Sequence, residues 1–259
     1  MSSNYNPGRV AGCLYLLLGF SMFRPIYVTT LIVRDNPTVT ANNIAAHEFI
    51  FRLGIIADLL AGISCILVAL ALYQLLKGVD QKLGVLMVIL GGVLPAAIDS
   101  MNALNDLAAL LLARGADFLS ALDRPQRAAL AMLFLRIHDH GFIVNEIFAG
   151  LWLFPFGILV FRSVFLPRLL GIGLFLNGFA YVFIVFTGFL LPQYADRVTR
   201  VVSPAFLGEG AIMLWLLIKG ARPLPPGASP STSATPGSGS NRPRAESHGN
   251  SPWRSGGSK

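Results

Sequence analysis

The sequence predicts an all-α fold, a polytopic bundle of transmembrane helices with about six spans. Of its 259 residues, 54% are hydrophobic and only 13% are charged, so a water-soluble surface is hard to assemble. Six apolar stretches approach or exceed the roughly 20 residues that a helix needs to cross a hydrocarbon core of about 30 Å. Two of the connections between them are short and carry Lys and Arg, as cytoplasmic loops do.

The predicted spans follow from these apolar stretches. In order, they are residues 10–33, 53–76, 83–104, 141–161, 169–191 and 204–218. The first is interrupted by Arg24-Pro25, and the last is short. The first apolar run continues beyond Arg24 without a small-residue cleavage site, so we predict a retained helix and not a signal peptide.

Two amphipathic lead-in helices are predicted to begin outside the hydrocarbon core and to run into the second and fourth spans. Thr40 is the predicted N-cap of the first, which covers residues 41–52. Asp123 marks the start of the second, which covers residues 126–140 before Gly141 opens the fourth span. Both lead-in helices would lie on one side of the membrane.

The chain divides by composition into a transmembrane domain, residues 1–220, and a tail, residues 221–259. The tail is rich in Pro, Ser and Gly and has almost no large apolar residue, so we predict that it is disordered. It carries five basic residues and one acidic residue, which leaves a net charge of +3 on the body out of +7 for the chain. The body shows no basic stripe with exposed aromatic residues, so we expect no nucleic-acid partner.

The orientation follows from the basic residues at the ends of the spans. The short connections 77–82 and 162–168 both contain Lys or Arg, and further basic residues flank the first and last spans. Since basic residues are enriched in cytoplasmic loops, we expect both termini and the tail in the cytoplasm.

Ionisable groups inside a span are costly unless they are paired or face a cavity, so each one indicates function. At a rise of about 1.5 Å per residue, five polar side chains on four helices reach a similar depth, in the outer third of the bilayer. They are Arg24, Asp58, Asp99, Asn145 and Glu146. Glu209 lies near the midplane, between two glycines that allow a neighbouring helix to approach. The candidate ligand-binding residues are Arg24, Asp58, Asp99, Asn102, Glu146 and Glu209.

These polar groups have a structural interpretation as well. Asp99, Asn102 and Asp106 share one helix face, which cannot face lipid. Arg24 is the one cation predicted at that depth, and it could form an interhelical ion pair with Asp58 or Asp99 that only holds the bundle together. The excess of carboxylates over arginine favours a cation or a proton as the ligand.

We predict no metal site and no cofactor. In His138-Asp139-His140 the two histidines point about 200° apart on a helix, so one ion cannot bind both. A single histidine completed by His47 or Glu48 stays open as an alternative. The sequence shows no Gly-rich phosphate loop and no nucleophile elbow.

Short motifs follow one another in a fixed order through the body of the chain. They are residues 9–12 (RVAG), 14–16 (LYL), 40–44 (TANNI), 51–55 (FRLGI), 57–59 (ADL), 150–153 (GLWL), 165–168 (FLPR), 191–192 (LP), 208–209 (GE) and 214–217 (LWLL). In this order and spacing the chain resembles a bacterial integral-membrane family known as domain of unknown function 4386. The resemblance implies a multi-span protein of the bacterial inner (plasma) membrane, and it brings no activity, cofactor or catalytic residue.

Three functions are therefore compatible with the sequence. We favour a protein, not an enzyme, that binds or transports a small polar or cationic solute through a polar cavity in the membrane. The alternatives are an accessory or sensory protein whose charges are structural, and a metal-assisted intramembrane hydrolase that uses His138, His140, Glu146 and His47. The lipid bilayer is the expected surrounding partner, and a homo-oligomer stays open.

Overall fold

The computed structural model describes residues 6–222, and all regular structure within them is helical. The α-helices in this part of the chain are α1 (Pro7–Leu17), α2 (Pro37–Ala46), α3 (Glu48–Leu76), α4 (Gln81–Val88), α5 (Leu94–Arg114), α6 (Arg124–Leu151), α7 (Leu153–Arg162), α8 (Arg168–Leu190), α9 (Ala195–Val202) and α10 (Leu207–Ile218).

Within residues 6–222, five helical stretches are long and apolar enough to cross a membrane. They are Glu48–Leu76, Gln81–Arg114, Arg124–Arg162, Arg168–Leu190 and Pro192–Ile218. These stretches contain or overlap the second to sixth predicted spans. The protein is therefore an all-α, multi-pass membrane protein, as the sequence predicts.

The first predicted span, residues 10–33, is not among these five stretches. After α1, the chain forms a 3₁₀ segment (Leu18–Met22), a π turn (Arg24–Val28) and a second 3₁₀ segment (Thr29–Leu31). Pro25 has no backbone N–H and cannot continue an α-helical hydrogen-bond ladder, so the change of helix type at this point has a local cause.

The third predicted span has the same kind of interruption. A π turn (Ile89–Val93) separates α4 from α5, two residues before Pro95. Helix α5 then continues ten residues beyond the predicted end at residue 104. It ends at Gly115, whose φ of 69° is the left-handed conformation that terminates many helices.

The first lead-in helix differs from the prediction. It is a separate helix, α2, whose N-cap is Asn36, and the Asn36 side chain accepts a hydrogen bond of 3.0 Å from the Val39 N–H. Thr40 lies inside this helix and its hydroxyl donates to the Val33 carbonyl at 3.0 Å, so the prediction of Thr40 as N-cap is wrong. The preceding Asn36-Pro37 pair starts the helix earlier, because proline is favoured in the first turn.

The second lead-in helix agrees with the prediction. Helix α6 begins after Asp123 and continues without a break through Gly141 into the fourth predicted span. Asp123 and Gln126 form a capping box, in which the Gln126 N–H donates to Asp123 Oδ1 at 2.8 Å and the Asp123 N–H donates to Gln126 Oε1 at 3.0 Å.

The helices pack in a connected series. Helix α3 lies against α1 and α5, α5 against α6, α6 against α8, and α8 against α7 and α10, while α10 also contacts α1. A Cβ atom at Gly208 would overlap the backbone of Gly173, so glycine lets α10 approach α8 closely at this point.

Two apolar clusters make up the interior. One contains Val28, Ile44, Phe51, Leu110 and Leu135, and the other contains Tyr15, Leu72, Met87, Phe156 and Leu216. On α3, Asp58 lies between Phe51 of the first cluster and Leu72 of the second, so apolar packing flanks the polar groups.

The first residue of the predicted tail, Ala221, contacts the start of α1. Ala221 is buried, its N–H donates to Asn6 Oδ1 at 3.1 Å, and its carbonyl accepts from the Gly8 N–H at 3.0 Å. The rest of the predicted disordered tail, from residue 223, lies outside the described residues.

Candidate functional site

A cavity of about 940 Å³ extends between the helices. All six side chains selected from the sequence lie on its wall: Arg24, Asp58, Asp99, Asn102, Glu146 and Glu209. They come from the π turn that follows α1 and from α3, α5, α6 and α10. Tertiary packing thus brings distant parts of the chain to one surface.

Much of the remaining wall is aromatic or apolar. It includes Tyr15, Val68, Trp152, Tyr181, Phe206 and Met213. Leu16 and Phe142 also line the cavity and are about half exposed, at 54% and 49%, so the cavity reaches the outer surface of the bundle. The wall therefore combines a few ionisable groups with a larger apolar surface.

Arg24 forms a buried ion pair with Asp106. Its Nη1 donates a hydrogen bond to Asp106 Oδ2, and the two side chains are 8% and 1% exposed. The predicted partners, Asp58 and Asp99, are not the ion-pair partners of Arg24. An unbroken α-helix through the first segment would place Arg24 at the depth of Asp58 and Asp99. A 3₁₀ turn, however, rises about 2.0 Å per residue, and a π turn changes the direction of the side chains.

His138 lies beside this ion pair. Its Nδ1 is 3.2 Å from the Asn102 carbonyl oxygen, to which a protonated Nδ1 donates, and 3.3 Å from Asp106 Oδ1. Its Nε2 is 4.0 Å from Asp58 Oδ2. A Cβ at Gly141 would overlap the Asn102 side chain, so this glycine lets α6 lie close enough to α5 for these contacts.

Asp99 and Asn145 form the next contact between α5 and α6. Asn145 Nδ2 donates to Asp99 Oδ1 at 2.9 Å. Together with the burial of Asn102 and Asp106, this contact shows that the polar face of the third span is turned toward protein and not toward lipid. This agrees with the sequence prediction.

Glu209 is held by two neutral donors. The Tyr15 hydroxyl donates to Glu209 Oε1 at 3.2 Å, and Asn177 Nδ2 donates to Glu209 Oε2 at 3.4 Å. Asn177 is fully buried, whereas Glu209 keeps some exposure to the cavity. Within residues 6–222, neither Glu209 nor Asp99 nor Glu146 forms an ion pair with a basic side chain.

Five residues of these contacts were not among the six candidate ligand-binding residues: Tyr15, Asp106, His138, Asn145 and Asn177. From the sequence, His138 was named only as a metal ligand and for the hydrolase alternative. Asp106 had a signal, because it shares a helix face with Asp99 and Asn102. A polar residue in a strongly apolar helix was the signal for Asn177. Tyr15 had none, since tyrosine is common in membrane helices near the interface.

The ligand set of the hydrolase hypothesis is not assembled. His140 is exposed and its Nδ1 lies 2.7 Å from the Arg136 carbonyl of its own helix. Glu48, one of the two residues that could complete the single-histidine alternative, pairs instead with Arg52 at 2.6 Å and with Arg114 at 3.3 Å. Among the described residues, the metal-ligating side chains that converge are Asp58, Asp106 and His138, with one ligand atom of each within 4.8 Å of the others.

Comparison with known proteins agrees with the family resemblance. Residues 10–220 match the family model described as domain of unknown function (DUF4386). The chain is 28% identical over 159 residues to an uncharacterized protein from Archaeoglobus fulgidus, an alignment that covers 60% of this chain and 76% of that protein. No solved structure matches the chain. The family match covers most of the chain, and the protein therefore belongs to the DUF4386 family.

Proposed function

We propose that this protein binds a small organic cation in the cavity and transports it across the membrane. The observation that carries the proposal is the environment of Glu209. Its carboxylate faces the cavity and receives hydrogen bonds from Tyr15 and Asn177, both of which are neutral.

The charge of the cavity wall supports a cationic ligand. Arg24 is a buried cation on the wall, but it is already paired with Asp106. Asp99, Glu146 and Glu209 have no such partner among the described residues. In a low-dielectric interior, unbalanced carboxylates attract a cation more strongly than they would in water.

The apolar part of the wall supports an organic cation over a hydrated inorganic ion. Trp152 and Tyr181 lie on the same cavity as Glu209, and aromatic faces attract organic ammonium groups. The volume of about 940 Å³ is near the upper end of the range of about 300–1,000 Å³ typical of small-molecule sites. An ammonium group near Glu209 with an apolar substituent against Trp152 would use both kinds of surface.

The interrupted helices support transport. The π turn at Arg24–Val28 contributes Arg24 and Pro25 to the wall, and the π turn at Ile89–Val93 contributes Gly91. Transporters commonly place discontinuous helices around their substrate sites, because broken helices can bend and supply free backbone groups.

We further infer six spans in the plasma membrane, with residues 7–31 as the first span and both termini in the cytoplasm. The helical turns continue from α1 to Leu31, and the connections with Lys and Arg support the orientation. In a chain whose Cys13 and Cys65 are replaced by serine, two exposed loop positions allow a test by labelling with an impermeant thiol reagent in intact cells. Ser120→Cys should react from outside, and Gly78→Cys should react only after the membrane is opened; the reverse pattern would contradict the orientation.

The cation proposal is tested by thermal-shift measurements on the detergent-purified protein. We expect primary amines or quaternary ammonium compounds with an apolar substituent to raise the unfolding temperature saturably, because ligands stabilise the state that binds them. Matched neutral alcohols and carboxylates should have no effect. If the protein is stable and no cation shifts its unfolding, the accessory or sensory alternative replaces this proposal.

A further inference from the structure

We propose that Asp58, Asp106 and His138 form a buried binding site for one divalent transition-metal ion of the Zn²⁺ or Mn²⁺ class. The three residues come from α3, α5 and α6, and one ligand atom of each lies within 4.8 Å of the others. Imidazole and carboxylate ligands together suit these ions. The site shares no residue with the contacts of Glu209 to Tyr15 and Asn177, although Asp58 and His138 line the same cavity.

The hydrogen bonding of His138 leaves its Nε2 available to bind a metal ion. When Nδ1 carries the proton, it donates to the Asn102 carbonyl oxygen at 3.2 Å. Nε2 is then the nitrogen without a proton, and it lies 4.0 Å from Asp58 Oδ2. Histidine ligands of metals usually donate their second ring N–H to a carbonyl or carboxylate in this way, which fixes the tautomer and the ring orientation.

Two carboxylate oxygens beside His138 are buried and accept no hydrogen bond from the described residues. They are Asp58 Oδ2 and Asp106 Oδ1. The Asp106 side chain is only 1% exposed, and its other oxygen already accepts from Arg24. A buried acceptor without a partner is costly, and with Nε2 also an acceptor, a cation between the three groups would satisfy all of them.

The local charge also suits a divalent ion. Asp99 packs against Gly62, which lies one helical turn from Asp58, so a third carboxylate lies close to the site. These three carboxylates with Arg24 give a net charge of −2 when ionised. A divalent cation balances this charge, and the Arg24 guanidinium orients Asp106 from the side opposite to Oδ1.

The test measures metal content and metal binding, without any substrate. Protein purified after growth in Zn²⁺ and Mn²⁺ should contain about one transition-metal ion per chain by elemental analysis. Protein stripped with a chelator should unfold at a lower temperature and recover on titration with Zn²⁺ or Mn²⁺ alone. Less than a tenth of an equivalent of metal, together with no saturable shift by either ion, would overturn the proposal.

Variants distinguish the site from adventitious binding at other residues. Loss of a residue that only hydrogen-bonds to a metal ligand weakens metal binding by roughly 10- to 100-fold. Asp58→Asn and His138→Gln remove a ligand itself, so each should weaken metal binding by more than that. His140→Gln and Asp139→Asn change neighbouring residues of α6 and should leave metal binding unchanged. Equal metal affinity in His138→Gln and His140→Gln would overturn the proposal. If His138→Gln does not fold, Asp58→Asn, whose side chain is partly exposed, decides in the same way.

Discussion

Arg24 and Asp106 are 82 residues apart in sequence and form an ion pair in the interior of the bundle. Arg24 lies in the π turn of the first segment, and Asp106 lies on the inward face of α5. The pair therefore connects the irregular part of the first segment to α5, the helix that also carries Asp99 and Asn102. Because Arg24 is paired with Asp106, it is not the ion-pair partner of the carboxylates on the cavity wall.

The first prediction concerns this ion pair. Arg24→Met or Asp106→Leu should each lower the free energy of unfolding by about 3–5 kcal/mol, because each leaves an uncompensated buried charge. The double variant should be far less destabilised than the sum of the two, since it removes both charges. Reversible unfolding in mixed detergent micelles measures all three. Additive effects would show that the two side chains are not coupled.

The second prediction concerns the contact between α8 and α10. Gly208→Ala should destabilise the protein by about 1–3 kcal/mol, because the new methyl group would overlap the Gly173 backbone. Gly210→Ala is the matched control, since a Cβ at Gly210 meets nothing within 4 Å. Thermal unfolding of both variants should separate them. Equal unfolding temperatures would mean that α10 does not pack on α8 in this register.

The third prediction concerns the donor to Glu209. Tyr15→Phe removes one hydrogen bond from the carboxylate and should change the affinity for an organic cation by about 2- to 10-fold while the protein stays folded, in line with about 0.5–1.5 kcal/mol per hydrogen bond. Tyr73→Phe is the control, because Tyr73 packs beside Gly84 and does not line the cavity. Isothermal titration gives both affinities. An equal change in the two variants would show that the effect does not pass through Glu209.

The helical architecture was largely predictable from composition and span length. Five of the six apolar stretches correspond to long helices, because a sequence of about 20 apolar residues has few other ways to satisfy its backbone in a bilayer. The helix start at Asp123 was also predictable, because its capping box depends on two residues only three positions apart. The start of α2 was missed because Asn36-Pro37 is a stronger initiation signal than Thr40.

The polar groups of the cavity were predictable, but their pairing was not. A buried charge is visible in an apolar sequence, so all six selected residues could be named before their positions were known. Which carboxylate meets Arg24 depends on the rise and the rotation of the irregular turns between Leu18 and Leu31, and no pattern in the sequence specifies these. The contact between Tyr15 and Glu209 joins residues 194 positions apart and depends on the packing of α1 against α10.

The central claim is that Glu209 provides the negative charge that binds an organic cation. The most direct test is isothermal titration of the purified protein with the cation that gives the largest shift in the thermal-shift screen. Glu209→Gln keeps the size of the side chain and removes the charge, while Glu48→Gln removes a carboxylate that pairs with Arg52 away from the cavity wall. We predict that Glu209→Gln loses binding at least tenfold with its unfolding unchanged, and that Glu48→Gln binds as the unaltered protein does. Full affinity in Glu209→Gln would contradict the account.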